Sequence, residues 1–399
     1  MPLISASAHS PSLADGLDFP YFLRVSPSDE FLAAAIVDVM QYLFEFSSVA
    51  MASVTDTYGS GGARAFSTAV ASTGLRISAA VTFRNDETRF DTQHQELLRS
   101  QAKVIVLFAQ DNDAARFVRE SYKAGIGGPG YLWMTGASTV HVDLNWNGAH
   151  DLRARSLKGS LSMVPDDRRA SAEYDAFISR RRFIPGLNNA AGGRCTLETD
   201  TEGGTLLWGG DHDGDATSAV RCAGDSAQTA ASYDSFGYDA VFAVAHALHD
   251  LIEVQNRTEI VGSELLDVLI KKVRFEGLTG LVDFYDASAD PARMYHGDRR
   301  VGISYRLLNY VSADTPQAGI GVWSPCASSP CGWSERWQAF PNVSMVYSTA
   351  DNSKPILTLE CTYGEFLAFD GQCVCDAGFE LGPTGRRCRR CDVGQSSQP

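Results

Sequence analysis

Val104-Ile-Val-Leu-Phe108 is an unbroken apolar run with a helical pattern on either side. A strand without a polar face must be covered on both sides, the position of an inner strand in a parallel sheet packed between helices. The flanking sequence repeats the arrangement. Strand patterns over Phe19–Val25, Val49–Val54, Ile77–Phe83 and Tyr131–Met134 alternate with helical patterns over 28–43, 59–71, 93–100 and 113–124. The first helix opens on Ser28, a capping residue, with Asp29 and Glu30 in its first turn. Strands separated by helices of this length predict βαβ units and a parallel sheet.

Beyond residue 160 the pattern loosens. A strand is predicted over Leu161–Val164, a helix over Arg169–Arg181, and a Gly/Asn/Asp-rich loop over 185–230 pinned by a Cys195–Cys222 bridge. Tyr233–Val254 reads as a helix with Tyr238, Val241, Phe242, Ala245, Leu248 and Ile252 along its apolar face. A second helix is expected over Leu265–Val273, and strands over Leu281–Phe284 and Ile303–Tyr310. At 399 residues the chain exceeds what one core supports, so at least two lobes are expected.

The formal net charge of −14 argues against a nucleic-acid partner, which needs a clustered basic face. No run reaches the roughly 18–20 apolar residues needed to cross a bilayer, and residues 1–10 carry no leader pattern. Nine cysteines point to an oxidising compartment. Cys195, Cys222, Cys326 and Cys331 are spread along the chain, whereas Cys361, Cys373, Cys375, Cys388 and Cys391 crowd the last forty residues. Disulfides are expected within the chain for all but Cys391, whose partner is expected to lie beyond Pro399. Zinc is the alternative, but Cys373-x-Cys375 with Cys388-x-x-Cys391 does not make two knuckles. Asn256-Arg-Thr and Asn342-Val-Ser are glycosylation sequons. The chain is thus expected to be a piece of a longer secreted or membrane-bound protein.

Five segments occur in order: Ser5-Ala-Ser-Ala-His-Ser10, Tyr21-Phe-Leu-Arg-Val-Ser-Pro-Ser-Asp29, Asp56-Thr-Tyr-Gly-Ser-Gly61, Tyr238-Asp-Ala-Val-Phe-Ala-Val-Ala-His-Ala-Leu248 and Phe275-Glu-Gly-Leu-Thr-Gly280. Together they resemble the ligand-binding region of class C G-protein-coupled receptors and natriuretic-peptide-type receptors. The resemblance covers residues 1 to about 345. It implies an α/β fold, a two-lobed clamshell like a type I periplasmic binding protein. The first lobe would comprise 1–24 and about 166–302, lacking its initial strands; the second would comprise about 25–165 and 303–345. A linker over 346–360 would lead to an incomplete cysteine-rich module over 361–399, similar to EGF-like or growth-factor-receptor-like segments. The implied function is the extracellular part of a signalling receptor, closing on a small, amino-acid-like molecule. No enzyme activity, cofactor or metal is implied. A membrane domain would lie outside this chain, and a homodimer is the oligomer implied. The alternatives are a secreted or anchored solute-binding protein for a transporter, and an α/β enzyme.

The resemblance also implies site residues. Ser7 matches a ligand-holding serine, and His9 stands where relatives carry threonine. Asp29 matches an acid that helps hold the ligand's amine; its other reading is a helix-capping acid. Tyr58 matches a tyrosine lying over the ligand, and Gly59 and Ser60 would open a helix whose N–H groups face the cleft. Lys271 matches a lysine that meets a side-chain carboxylate, although a lysine on an exposed helix face is common. One departure stands out: relatives that bind amino acids carry Asp in the segment matching Thr135-Gly-Ala-Ser138, where this chain has Ala137. That removes a charge-assisted bond of about 1.5–3 kcal/mol.

Other motifs fail on context. Gly125-x-Gly127-x-x-Gly130 has dinucleotide-loop spacing but precedes a strand and contains Pro129. Asp211-His-Asp-Gly-Asp215 resembles a calcium loop but has Ala216 and Cys222 where glycine and glutamate belong. His246 and His249 have ligand spacing without a third partner, so packing is the expected role.

Overall fold

A computed structural model describes residues 1–136, 150–166, 172–181, 195–197, 220–222, 233–288, 295–299, 303–311, 318–326, 332–349, 352, and four short strands between 365 and 390. In chain order the first elements are β1 (Leu3–Ser5), β2 (Phe22–Arg24), α1 (Asp29–Asp38), β3 (Ser48–Val54), α2 (Thr57–Ala71), β4 (Arg76–Phe83), α3 (Asp91–Ser100), β5 (Val104–Phe108), α4 (Asp111–Lys123) and β6 (Leu132–Thr135). Then come α5 (His150–Leu157), β7 (Leu161–Pro165), α6 (Ala172–Arg181), β8 (Cys195–Leu197), β9 (Val220–Cys222), α7 (Asp234–His249), α8 (Gly262–Lys271), β10 (Arg274–Gly277) and β11 (Gly280–Asp283). Last are β12 (Tyr305–Asn309), β13 (Ala318–Trp323), α9 (Trp333–Arg336) and β14 (Trp337–Ala339).

Eight strands form one mixed sheet in the order β14-β13-β12-β7-β6-β5-β3-β4. The five strands from β4 to β7 are parallel, and the three contributed by 305–339 run antiparallel to their neighbours. The apolar run at β5 explains the layering. Val104, Val106 and Phe108 face one core with Leu32, Ile36, Phe66 and Val70 of α1 and α2. Ile105 and Leu107 face the other with Leu97, Ala114, Phe117 and Val118 of α3 and α4. Alternation along one strand therefore fills two helix-covered faces, as its composition required.

A separate core joins the short parallel pair β1–β2 to α7, α8 and the β10–β11 hairpin, through Leu23, Phe236, Ala243, Leu251, Leu269, Val282 and Phe284. Asp239 of α7 anchors the hairpin. Its carboxylate accepts the N–H groups of Leu278 and Thr279 at 2.7 and 2.9 Å and the Thr279 hydroxyl at 2.6 Å. A Cβ at Gly277 would stand 2.4 Å from that carboxylate. Two of the five family-like segments are thus two halves of one hydrogen-bonded contact.

Three expectations need correction. The Phe19–Val25 strand is only Phe22–Arg24, and it pairs with β1 outside the large sheet. The helix containing Tyr58 starts at Thr57 on an Asp56 cap, before the glycines rather than at them. Finally, α7 buries the side opposite to the one expected. Phe236, Ala240, Ala243 and Ala247 point inward, with Leu251 in the turn that continues the helix, whereas Val241 and Phe242, and Ile252 beyond them, are exposed, Val241 by 67%. The small alanine face lets α7 lie close to its neighbours, while Tyr238 stacks on Phe242 at 4.3 Å and meets Phe177 of α6 at 5.3 Å on the outer side.

Other expectations can be placed. Cys195 lies opposite Cys222 in the β8–β9 register. Cys326 is disulfide-bonded. Cys373, Cys375 and Cys388 lie in two small antiparallel hairpins, Glu365–Leu367 with Cys373–Cys375 and Phe379–Leu381 with Cys388–Arg390. Cys331, Cys361, Ala137, Ser138 and the Asp211–Asp215 loop fall outside the described residues. Asn256 and Asn342 are exposed and left-handed (φ 55° and 58°), a conformation asparagine tolerates. The Gly125–Gly130 segment is a turn between α4 and β6, with φ of 81° and 134° at Gly125 and Gly127. His246 and His249 are exposed, and the His246 ring rests 4.7 Å from Phe275. Among the described residues no helix is long and apolar enough to cross a membrane, and no cluster of His, Cys, Asp or Glu could hold a metal.

Candidate functional site

Arg24 ends β2 where the chain leaves the smaller core for α1. A guanidinium with 0% exposure needs every charge and donor answered. Its Nε and Nη2 meet the Asp298 carboxylate at 2.6 and 2.8 Å, a bidentate pair. Nη1 donates to the carbonyls of Ser10 at 2.7 Å and Ala8 at 3.4 Å. Burial raises the Asp298 pKa while Arg24 pulls it back. Arg24 therefore ties the turn over residues 7–10 to the chain that returns at 295–299.

That turn faces the start of two helices. The Asp29 N–H donates to the His9 carbonyl at 3.0 Å. A Cβ at Gly61 of α2 would lie 3.8 Å from Ser10 Oγ, so the turn and the first turn of α2 are neighbours. The His9 ring lies 5.1 Å from that of Tyr233, just before α7. Tyr58, Asp29, Tyr233 and Tyr305 are close enough to act on one another electrostatically. Tyr305 reaches across from β12 to the Ser28 carbonyl at 3.2 Å.

The protonation states follow from these surroundings. His9 Nδ1 lies 2.8 Å from the Pro27 carbonyl, which only accepts, so Nδ1 carries the proton and Nε2 is a bare acceptor. Burial pushes the imidazole down to about 4, and it is neutral at physiological pH. Burial raises Asp29 to about 7, Arg24 opposing. Burial likewise pushes the Tyr58 and Tyr305 hydroxyls up. Asp29 is 3% exposed, and its Oδ2, like His9 Nε2, is buried without a hydrogen-bond partner among the described residues. Ser26 Oγ is buried in the same condition, and the Tyr58 hydroxyl has no well-formed bond, with the Gln110 side chain beside it. Among the described residues no hydroxyl or thiol is hydrogen-bonded to His9 Nε2. The arrangement is one of binding groups waiting for a donor.

Of the residues singled out in the sequence, His9, Asp29 and Tyr58 come together. Ser7 is on the exposed side of the same turn. Gly59 is buried for a steric reason: a Cβ there would be 2.1 Å from the Val54 carbonyl and 2.9 Å from that of Phe108. Its N–H is taken by Asp56 at 2.7 Å and that of the exposed Ser60 by the Asp56 carbonyl, so neither is free to face a ligand. Lys271 is half-exposed on α8 and pairs with Asp267 at 2.8 Å. Gly136 adjoins the site, since a Cβ there would meet the Tyr58 hydroxyl at 2.7 Å. Sequence reasoning missed Arg24, Tyr233, Tyr305 and Asp298 as site residues. Arg24 carried a signal, a charge inside the apolar run Tyr-Phe-Leu-Arg-Val; the others depend on distant chain coming together.

Residues 1–296 match the model of the receptor family ligand binding region. The chain belongs to that family. Among curated proteins it is 27% identical over 334 residues to metabotropic glutamate receptor 4 of Mus musculus, covering 77% of this chain and 35% of that receptor. It is 23% identical over 350 residues to metabotropic glutamate receptor 6 of Rattus norvegicus, covering 81% and 37%. It is 24% identical over 342 residues to metabotropic glutamate receptor 8 of Homo sapiens, covering 81% and 36%. The chain thus spans about a third of the length of these relatives. The mixed α/β architecture with one large sheet fits the periplasmic-binding-protein-like fold implied by the sequence.

Proposed function

We propose that this chain is the extracellular ligand-binding part of a cell-surface signalling receptor and takes a small molecule at the junction of His9, Asp29, Tyr58 and Tyr233. One observation carries this reading. Two acceptors at this junction, Asp29 Oδ2 and His9 Nε2, are each buried without a partner among the described residues, where the smaller core hands over to the large sheet. Unsatisfied buried polar atoms are costly in a fold of their own and become favourable when a ligand completes them. The smaller unit (1–24 and about 166–302) then acts as the first lobe, and the larger (about 25–165 and 303–345) as the second. Ligand contacts made to both favour the closed arrangement over the open one, and that shift of population is the signal. The cysteine-rich segment after 360, stapled by disulfides and preceded by a glycosylated surface at Asn256 and Asn342, passes it to a membrane domain.

Thermal denaturation of the purified chain across amino acids, amines, short peptides and divalent ions tests the reading. At least one small molecule is expected to raise the melting temperature in a concentration-dependent way. Asp29→Asn and Tyr58→Ala should each abolish that rise. A rise that survives both substitutions would place the ligand elsewhere.

A further inference from the structure

This inference rests on the reading above and concerns the chemistry of the ligand. Among the described residues, the donors named here are committed. The N–H groups of Ser7 and Ala8 donate to Ser5 Oγ at 3.3 and 3.0 Å. Arg24 is turned to Asp298 and to the carbonyls of Ser10 and Ala8. His9 commits its one ring proton to Pro27. Lys271 is held by Asp267 on an exposed helix face. The acceptors are not committed: His9 Nε2 and Asp29 Oδ2 are buried and unpartnered among the described residues. The hydroxyls of Tyr58 and Ser26 can serve in either role. Tyr58 and Tyr233 add aromatic faces, which attract cations.

We propose that the junction binds a small organic primary amine without an α-carboxylate, its ammonium donating to Asp29 and His9. The low basicity of His9 fits, because a neutral ring keeps Nε2 an acceptor. An ammonium would also stabilise the charged form of Asp29, which burial alone disfavours. An α-carboxylate would enter beside the Asp29 carboxylate, and Arg24, the buried guanidinium described there, is already taken.

Calorimetric titration of the full chain with matched pairs tests the proposal: 2-phenylethylamine against phenylalanine, and agmatine against arginine. Each pair differs by the carboxylate alone. In at least one pair the amine should bind roughly tenfold or more tightly than its amino acid. His9→Thr, which exchanges an acceptor for a hydroxyl able to donate, should narrow that ratio. If His9→Thr does not fold, the wild-type ratio decides alone. Amino acids that bind at least as tightly as their amines overturn the proposal and leave the receptor reading standing. Binding by none of the four overturns both.

Discussion

Arg24 and Asp298 are 274 positions apart, yet neither is stable in its place without the other. Truncating one member of a buried pair leaves an uncompensated charge, typically a loss of about 3–5 kcal/mol. Arg24→Met should therefore lower the urea midpoint sharply, whereas Arg24→Met with Asp298→Leu should recover much of the loss. His9 and Asp29 give a different signature. Asp29 has a folded pKa of about 7 against an ordinary 3.8. The folded protein keeps a proton that the unfolded chain has released, so stability falls as pH rises from about 4 to about 7 and stays at that lower level above. His9 has a folded pKa of about 4 against 6.5, so the unfolded chain binds the proton first and stability falls as pH drops through that window. The two slopes oppose each other in the wild type. Asp29→Asn should unmask the difference, gaining stability relative to wild type as pH is raised from 4.5 to 7.5. Equal differences at both pH values would mean that Asp29 is ionised normally in the fold.

At the scale of elements, the strands and helices from Val49 to Met134 were legible because β5 and its neighbours declare double-sided burial in their own composition. Ser28 capping with Asp29 and Glu30 in the first turn of α1 was legible too, and Ser28 accepts the Glu30 N–H. The inner face of α7 was not. Large apolar side chains at Val241, Phe242 and Ile252 outvoted the alanines in the sequence pattern, but close packing selected the small side. Strand β13, Ala318–Trp323, was missed because its two glycines weaken the strand signature, and the edge strand β14 because three residues are too few to carry one. At the site, the sequence supplied His9, Asp29 and Tyr58 through family-like spacing; it could not supply Tyr233 or Tyr305, whose place depends on tertiary contacts. The corrected face of α7 is testable. Val241→Lys should shift stability by no more than about 0.5 kcal/mol, whereas Ala243→Leu should cost about 1–3 kcal/mol by overpacking. The reverse order in chemical denaturation would restore the original face.

Across the whole molecule, the small core around α7 and α8 and the large sheet meet at a few named points: the Arg24 clamp, the His9 carbonyl to Asp29, the His9–Tyr233 ring contact and the Tyr305 hydroxyl to Ser28. A ligand bound there, as proposed, would touch segments that are far apart in sequence and order them together. Backbone hydrogen exchange reads this directly. With the tightest-binding member of the amine and amino-acid series added, protection should rise together over residues 7–10, 25–32 and 57–63 and at the start of α7. Protection that appears elsewhere, or in only one of these segments, would contradict the account.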